Sequence, residues 1–188
     1  MTNDTLAETA RIAHDWGLAS WLGGTMFGQF ALNPAVGKIS DPRERGKVVN
    51  AAWKGYNVVN MLSLGAIAVG WGGARLTESA PPRLTDRERS LAKAKDALTA
   101  TAVAAGVASG VQGGRLATSA PNGAVPIERG LKPAADTPPV AARAQKSLRV
   151  FGSLSILSGV GLVIVNALMA QLAHSRPPLR RGLLRRSA

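Results

Sequence analysis

The chain has 188 residues and a formal net charge of +12, from 23 Lys and Arg against 11 Asp and Glu, and it contains no cysteine. Its length leaves room for one helical bundle and no substantial second domain, and the lack of cysteine excludes disulfides, iron–sulfur clusters and thiol catalysis. The positive charge does not mark a nucleic-acid binder, because the basic residues are spread over the loops and the tail with no aromatic-studded basic face among them.

Mean hydropathy is only +0.07, since apolar runs are averaged with basic loops, so local runs decide the class. The first run, 16–36, is twenty-one residues without a charge, enough to cross the ~30 Å hydrocarbon core of a bilayer as a helix. The residues before it carry Asp4, Glu8 and Asp15 with a single arginine. They lack the basic region of a secretory signal, so the first span is expected to stay as an anchor. Within it, Gly24-x3-Gly28 predicts a groove for close helix approach, and Asn33-Pro34 predicts an end or a kink.

Asp41, Pro42 and Glu44 form an N-terminal capping pattern that starts a helix running into span 2, 55–74. Trp53 and Tyr56 at one end and Trp71 at the other sit where interface anchors belong. After the polar segment 75–96, with a second capping pattern at Thr85 and Glu88, comes span 3, 97–114, mostly Ala, Gly, Thr and Ser. Its insertion energy is marginal, and a soluble Ala-rich hairpin helix is the other reading. Gly106, Gly110 and Gly114 predict a face packed tightly against protein. Residues 115–139 are proline-rich and aperiodic, which predicts a flexible loop. Span 4 is 150–173, followed by a basic tail, 175–188.

The expected fold is therefore all-α, a polytopic membrane protein built as a four-transmembrane-helix bundle. An even number of spans puts both termini on one side. The charge balance and the tail arginines Arg180, Arg181, Arg185 and Arg186 place that side in the cytoplasm.

Counting residues along each span brings Asn33, Tyr56, Asn57, Asn60 and Gln112 to a similar depth, away from the termini. Asn50, Trp53, Asn57 and Asn60 also follow one helical stripe. Two readings stay open: a polar cavity for a small ligand, or hydrogen bonds between helices, the commoner arrangement where no acid or base lies in the membrane. His14 and His174 flank the first and last spans and are a candidate metal pair, although two imidazoles without a third ligand more often stay solvated. No catalytic constellation is present among the motifs, so no enzymatic activity and no cofactor are expected.

The run His14-x6-Trp21-Leu22-Gly23-Gly24, continued by Phe27, Phe30 and Pro34-Ala35, resembles the first span of the copper-resistance D-type membrane proteins and of their uncharacterised four-helix bacterial relatives. Asp41–Gly46 is similar to the loop before the second span of those relatives. The resemblance implies a multi-pass helical bundle of the inner membrane. For copper-transporting members it implies metal passage, carried here only to His14, because the methionine and histidine sets of a copper path have no counterpart. The resulting expectation is a non-enzymatic membrane protein, an accessory or structural subunit packing through its glycine faces. A small-solute or copper-type permease using the amide cluster is the alternative. Its partners would be the lipid bilayer and a second copy or another membrane protein, with no nucleic acid.

Overall fold

A computed structural model describes residues 3–77 and 79–174; the basic tail expected at 175–188 lies outside the described residues. Four long helices run alternately up and down: α1 (Asn3–Phe27), α2 (Pro42–Leu76), α3 (Asp86–Ala117) and α4 (Pro139–His174). The protein is thus all-α in character, with one small hairpin, β1 (Ile127–Arg129) and β2 (Lys132–Pro133), between α3 and α4.

Local chemistry accounts for the element boundaries. Pro34 has no N–H to offer Phe30, and its ring would press on that carbonyl in a regular helix. The helix widens instead into a π segment, Gly28–Leu32, where the Asn33 N–H donates to Gly28 O across five residues. One α turn, Asn33–Ala35, and a 3-10 turn, Val36–Lys38, then complete it. Asn33-Pro34 therefore distorts the helix without ending it. Asp41 caps α2, its carboxylate accepting the Arg43 N–H at 2.8 Å. At α3, the Thr85 N–H donates to Glu88 Oε2 at 2.9 Å and the Glu88 N–H to Thr85 Oγ1 at 3.4 Å, a complete capping box.

The expectation of a flexible loop at 115–139 is corrected. α3 continues to Ala117, a 3-10 turn covers Pro121–Gly123 with Asn122 and Gly123 at positive φ, and the hairpin follows. Val125 and Ile127, 0% and 1% exposed, join a core of Val36, Val49, Leu116, Ala141 and Ala144. The segment is a plug across one end of the bundle. Arg45 ties it down, donating to Ile39 O at 2.6 Å and Glu128 O at 3.2 Å, and Gln145 Nε2 donates to Gly130 O at 3.2 Å.

α1 packs chiefly on α2, and α3 on α4, and the two pairs meet more sparsely. Below the plug, Leu18, Trp21, Leu64, Ile67, Ala102 and Leu162 form a middle core; Trp71, Leu84 and Ala92 close the end nearest the termini. The glycines divide into two groups. Gly24 and Gly28 receive the rings of Tyr56 and Trp53, and Gly106 receives Leu64, so these notches hold side chains of α2 and not a neighbouring backbone. Gly110 has only Asn57 and Met61 at van der Waals range, and a Cβ on Gly114 would meet nothing. The tight α1–α2 approach is made elsewhere, at Gly17 against Ser63 and at Gly70 against Ala10 and His14.

Two helices, α2 and α4, are long and apolar enough to cross a membrane, and only 28% of the apolar window of each is buried. The apolar stretch of α1 is divided by the π segment after Phe27, and α3 is dominated by small residues, so neither provides such a window among the described residues. Apolar side chains are instead turned outward: Phe30, Leu62, Val69 and Leu157 are each at least 67% exposed. Polar groups lie inside, with Ser63, Gln145, Ser155 and Ser158 at 3% exposure or less.

Candidate functional site

The sparse meeting of the two helix pairs leaves a cavity of about 770 Å³ between the middle core and the plug. α2 supplies Asn50, Asn57 and Asn60 from one stripe, and the π segment and the turn after it supply Gln29 and Asn33. α3 contributes mainly absent side chains: Gly106, Gly110, Gly113 and Gly114 all border the space. At Gly110, Gly113 and Gly114 the missing Cβ atoms leave that space open, whereas Leu64 fills the notch at Gly106.

Two of these amides are committed to the fold. Asn33 Oδ1 accepts from Trp53 Nε1 at 3.4 Å, its carbonyl accepts the Gly130 N–H at 3.1 Å, and Asn50 Nδ2 donates to Gly123 O at 2.8 Å. The side chains of Gln29, Asn57 and Asn60 have no hydrogen-bond partner among the described residues. An unpaired amide at the wall of a polar cavity is available to water or to a ligand. Lys47 and Lys54 also reach the wall, Lys47 paired with Glu44 at 2.5 Å, and among the described residues no acidic side chain lines it.

Of the residues expected at one depth, the structure brings Asn33, Asn57 and Asn60 together at the cavity. Tyr56 turns away into the Gly24 notch and donates to Ser20 O, while Gln112 is half-buried outside the lining. Gln29 was not singled out in the sequence, although its four-residue spacing to Asn33 is a signal that could have found it; the part played by Lys47 and Lys54 depends on the helix-pair geometry, which no sequence spacing reports.

No protein-family model, no curated protein and no solved structure matches the chain. The site's chemistry thus rests on its own geometry.

The opposite end of the bundle holds a second polar group. Asp96 accepts from Trp71 Nε1 at 2.8 Å and from Arg75 through two nitrogens at 3.1 Å each, and the Lys95 ammonium lies 4.2 Å from the Trp71 ring centre. His14 is 3% exposed beside this group, and neither ring nitrogen makes a hydrogen bond; Asp15 Oδ1 is 3.3 Å from Nδ1 but out of line. Burial first, and then Lys95, lowers the His14 pKa below the ordinary value, against the pull of Asp15. Asn166 Nδ2 donates to Asp15 Oδ1 at 3.3 Å, which fixes α4 beside α1 at this level. His174 is exposed two turns further on, roughly 12 Å along the axis at 1.5 Å per residue.

The two histidines are therefore not brought together. Among the described residues no three His, Cys, Asp or Glu side chains converge on a metal position. Met169 packs at the Trp71 end, while Met26 and Met61 are over a third exposed on α1 and α2. This donor set does not fit the copper path that the resemblance implied.

Proposed function

We propose that the protein is a non-enzymatic, multi-pass membrane protein of four spans that takes a small polar solute into the cavity between its helix pairs, in the manner of a permease. The carrying observation is the set of three unpaired amides, Gln29, Asn57 and Asn60, at the wall of a cavity of about 770 Å³. Hydrogen bonding between helices, the other reading of the amide cluster, would consume those groups.

The membrane setting is supported by the position of charge. The uncharged stretches 16–37, 55–74, 97–114 and 150–173 lie side by side, with Asp15, Arg75 and Asp96 at one rim and Lys38, Lys54, Arg115 and Arg149 at the other. At 1.5 Å per residue they span roughly 27–36 Å, bracketing the ~30 Å hydrocarbon thickness. Exposed valine, leucine and phenylalanine cover the outside of this belt. In water such a surface would be an association hazard; in lipid it is the solvated face. α1 and α3, too weakly apolar to insert alone, would be carried by packing against α2 and α4. Both termini belong on the cytoplasmic side of an inner membrane, which opens the cavity toward the opposite face.

The accessory-subunit reading would use the glycine faces; of these, Gly24, Gly28 and Gly106 are filled from within the chain, while Gly110 and Gly114 stay open. A direct test is thermal unfolding in nanodiscs with a panel of small probes: glycerol, urea, acetate, inorganic phosphate and choline. At least one probe is expected to raise Tm for the native chain and not for Asn57→Leu/Asn60→Leu, whose Tm without probe stays within a few degrees of native. If no probe shifts the native chain, or the double variant responds equally, the cavity is not a solute site.

A further inference from the structure

We propose that the solute is a small oxyanion, of the phosphate or carboxylate class, and that Arg129, Lys132 and Arg149 form its entry vestibule. This rests on reading the cavity as a solute site and adds the charge of what enters it. A second hollow of about 200 Å³ lies beside the first, and Gln29, Asn33 and Leu131 line both. They are the wall between the two spaces. On the outer side of that wall stand Pro34 and three basic side chains, Arg129 and Lys132 from the hairpin and Arg149 from α4.

The charge balance is one-sided. Among the described residues no Asp or Glu lines either space. Lys132 is offset by Glu128 at 2.7 Å and Lys47 by Glu44 at 2.5 Å. Glu128 also feels the charge of Arg129, so one carboxylate is shared by Lys132 and Arg129. Arg149 and Lys54 make no ion pair among the described residues; Arg149 spends one nitrogen on Leu131 O at 2.8 Å, which holds its guanidinium at the hollow. Three basic side chains against the single carboxylate of Glu128 leave the hollow net positive, which raises the local concentration of anions and repels cations, and the guanidinium forks suit oxyanion geometry. Behind them the wall and cavity offer amide N–H donors from Gln29 and Asn57/Asn60, which can replace water around an anion, and the Lys54 ammonium adds a positive charge at the cavity wall.

The hairpin sets this geometry. The Gly130 N–H is bonded to Asn33 O, and a side chain on Gly130 would collide with Asn33, so the turn sits directly on the distorted end of α1. Gln145, buried in α4, donates to both Arg129 O and Gly130 O, at 3.4 and 3.2 Å, holding Arg129 at the mouth. These contacts make the hairpin part of the vestibule floor.

The phosphate chemistry has two sources, a free anion or the headgroup of an anionic lipid. Binding of inorganic phosphate is measured on the full chain in phosphatidylcholine nanodiscs, beside glycerol and urea, with native mass spectrometry of bound lipid. Saturable phosphate binding that weakens about tenfold or more in Arg129→Gln/Arg149→Gln, and recovers in Arg129→Lys/Arg149→Lys, supports a free-anion site. Phosphatidylglycerol retained by the native chain and lost by the double Gln variant supports the same site filled by a headgroup. If glycerol or urea binds while phosphate and phosphatidylglycerol do not, the cavity stands and the anion assignment falls. If nothing binds, both fall. Equal phosphate binding by the native chain and a double Gln variant of unchanged Tm also overturns the assignment.

Discussion

At the level of single residues, the glycines separate by what occupies the space in front of them. Gly24→Ala drives a methyl group into the Tyr56 ring and is expected to cost about 1–3 kcal/mol, the range for overpacking a filled site. Gly114→Ala meets nothing and should be within about 0.5 kcal/mol of native, or slightly stabilising through helix propensity. Thermal or denaturant unfolding of the two variants in one detergent separates them; equal losses would mean that the α2 rings do not fill the α1 notches. His14 gives a pH dependence. Its folded pKa is lowered by burial and by Lys95, so the unfolded chain binds the proton first and stability falls as pH drops below the ordinary value of 6.5. The loss continues until the folded imidazole also titrates. His14→Leu should flatten the Tm profile between about pH 7 and 5; a slope unchanged in that variant would assign the effect to the carboxylates.

Among the elements, the capping patterns at Asp41 and Thr85 were legible because they are local: a side-chain acceptor meets N–H groups two or three residues away, whatever the tertiary fold. The asparagine stripe of α2 was legible for a related reason, since helical periodicity fixes which side chains share a face. The plug was not. Val125 and Ile127 are isolated apolar residues between prolines, with no period to reveal a buried role, and their partners are distant in the chain, as in Ile127 beside Val36 and Ala144. The glycine zipper of α3 could not be resolved either, because sequence shows where Cβ atoms are missing and says nothing about what stands opposite. Here a cavity faces Gly110, Gly113 and Gly114. Ile127→Ala is expected to cost about 2–5 kcal/mol, the range for a buried aliphatic truncation. Limited proteolysis of the native chain should leave 118–138 intact; cleavage there under mild conditions, with a native-like Tm for Ile127→Ala, would show that the plug is not part of the core.

For the whole molecule, large apolar side chains are turned outward and polar ones inward. The belt exposes large apolar side chains outward and keeps serines and amides inward, and its polar cavity survives because glycines on α3 leave room and the helix pairs meet loosely. On the proposed reading, lipid covers the belt and water or a solute fills the cavity. The absence of native cysteine makes this directly measurable. The decisive experiment is labelling of single-cysteine variants by a water-soluble, membrane-impermeant maleimide in liposomes, with Asn57→Cys at the cavity and Leu157→Cys on the belt. Asn57→Cys is expected to react from the face opposite the termini, and Leu157→Cys to react only after detergent is added. Rapid labelling of Leu157→Cys in intact liposomes, or protection of Asn57→Cys from both sides, would contradict a water-accessible cavity inside a membrane-embedded bundle.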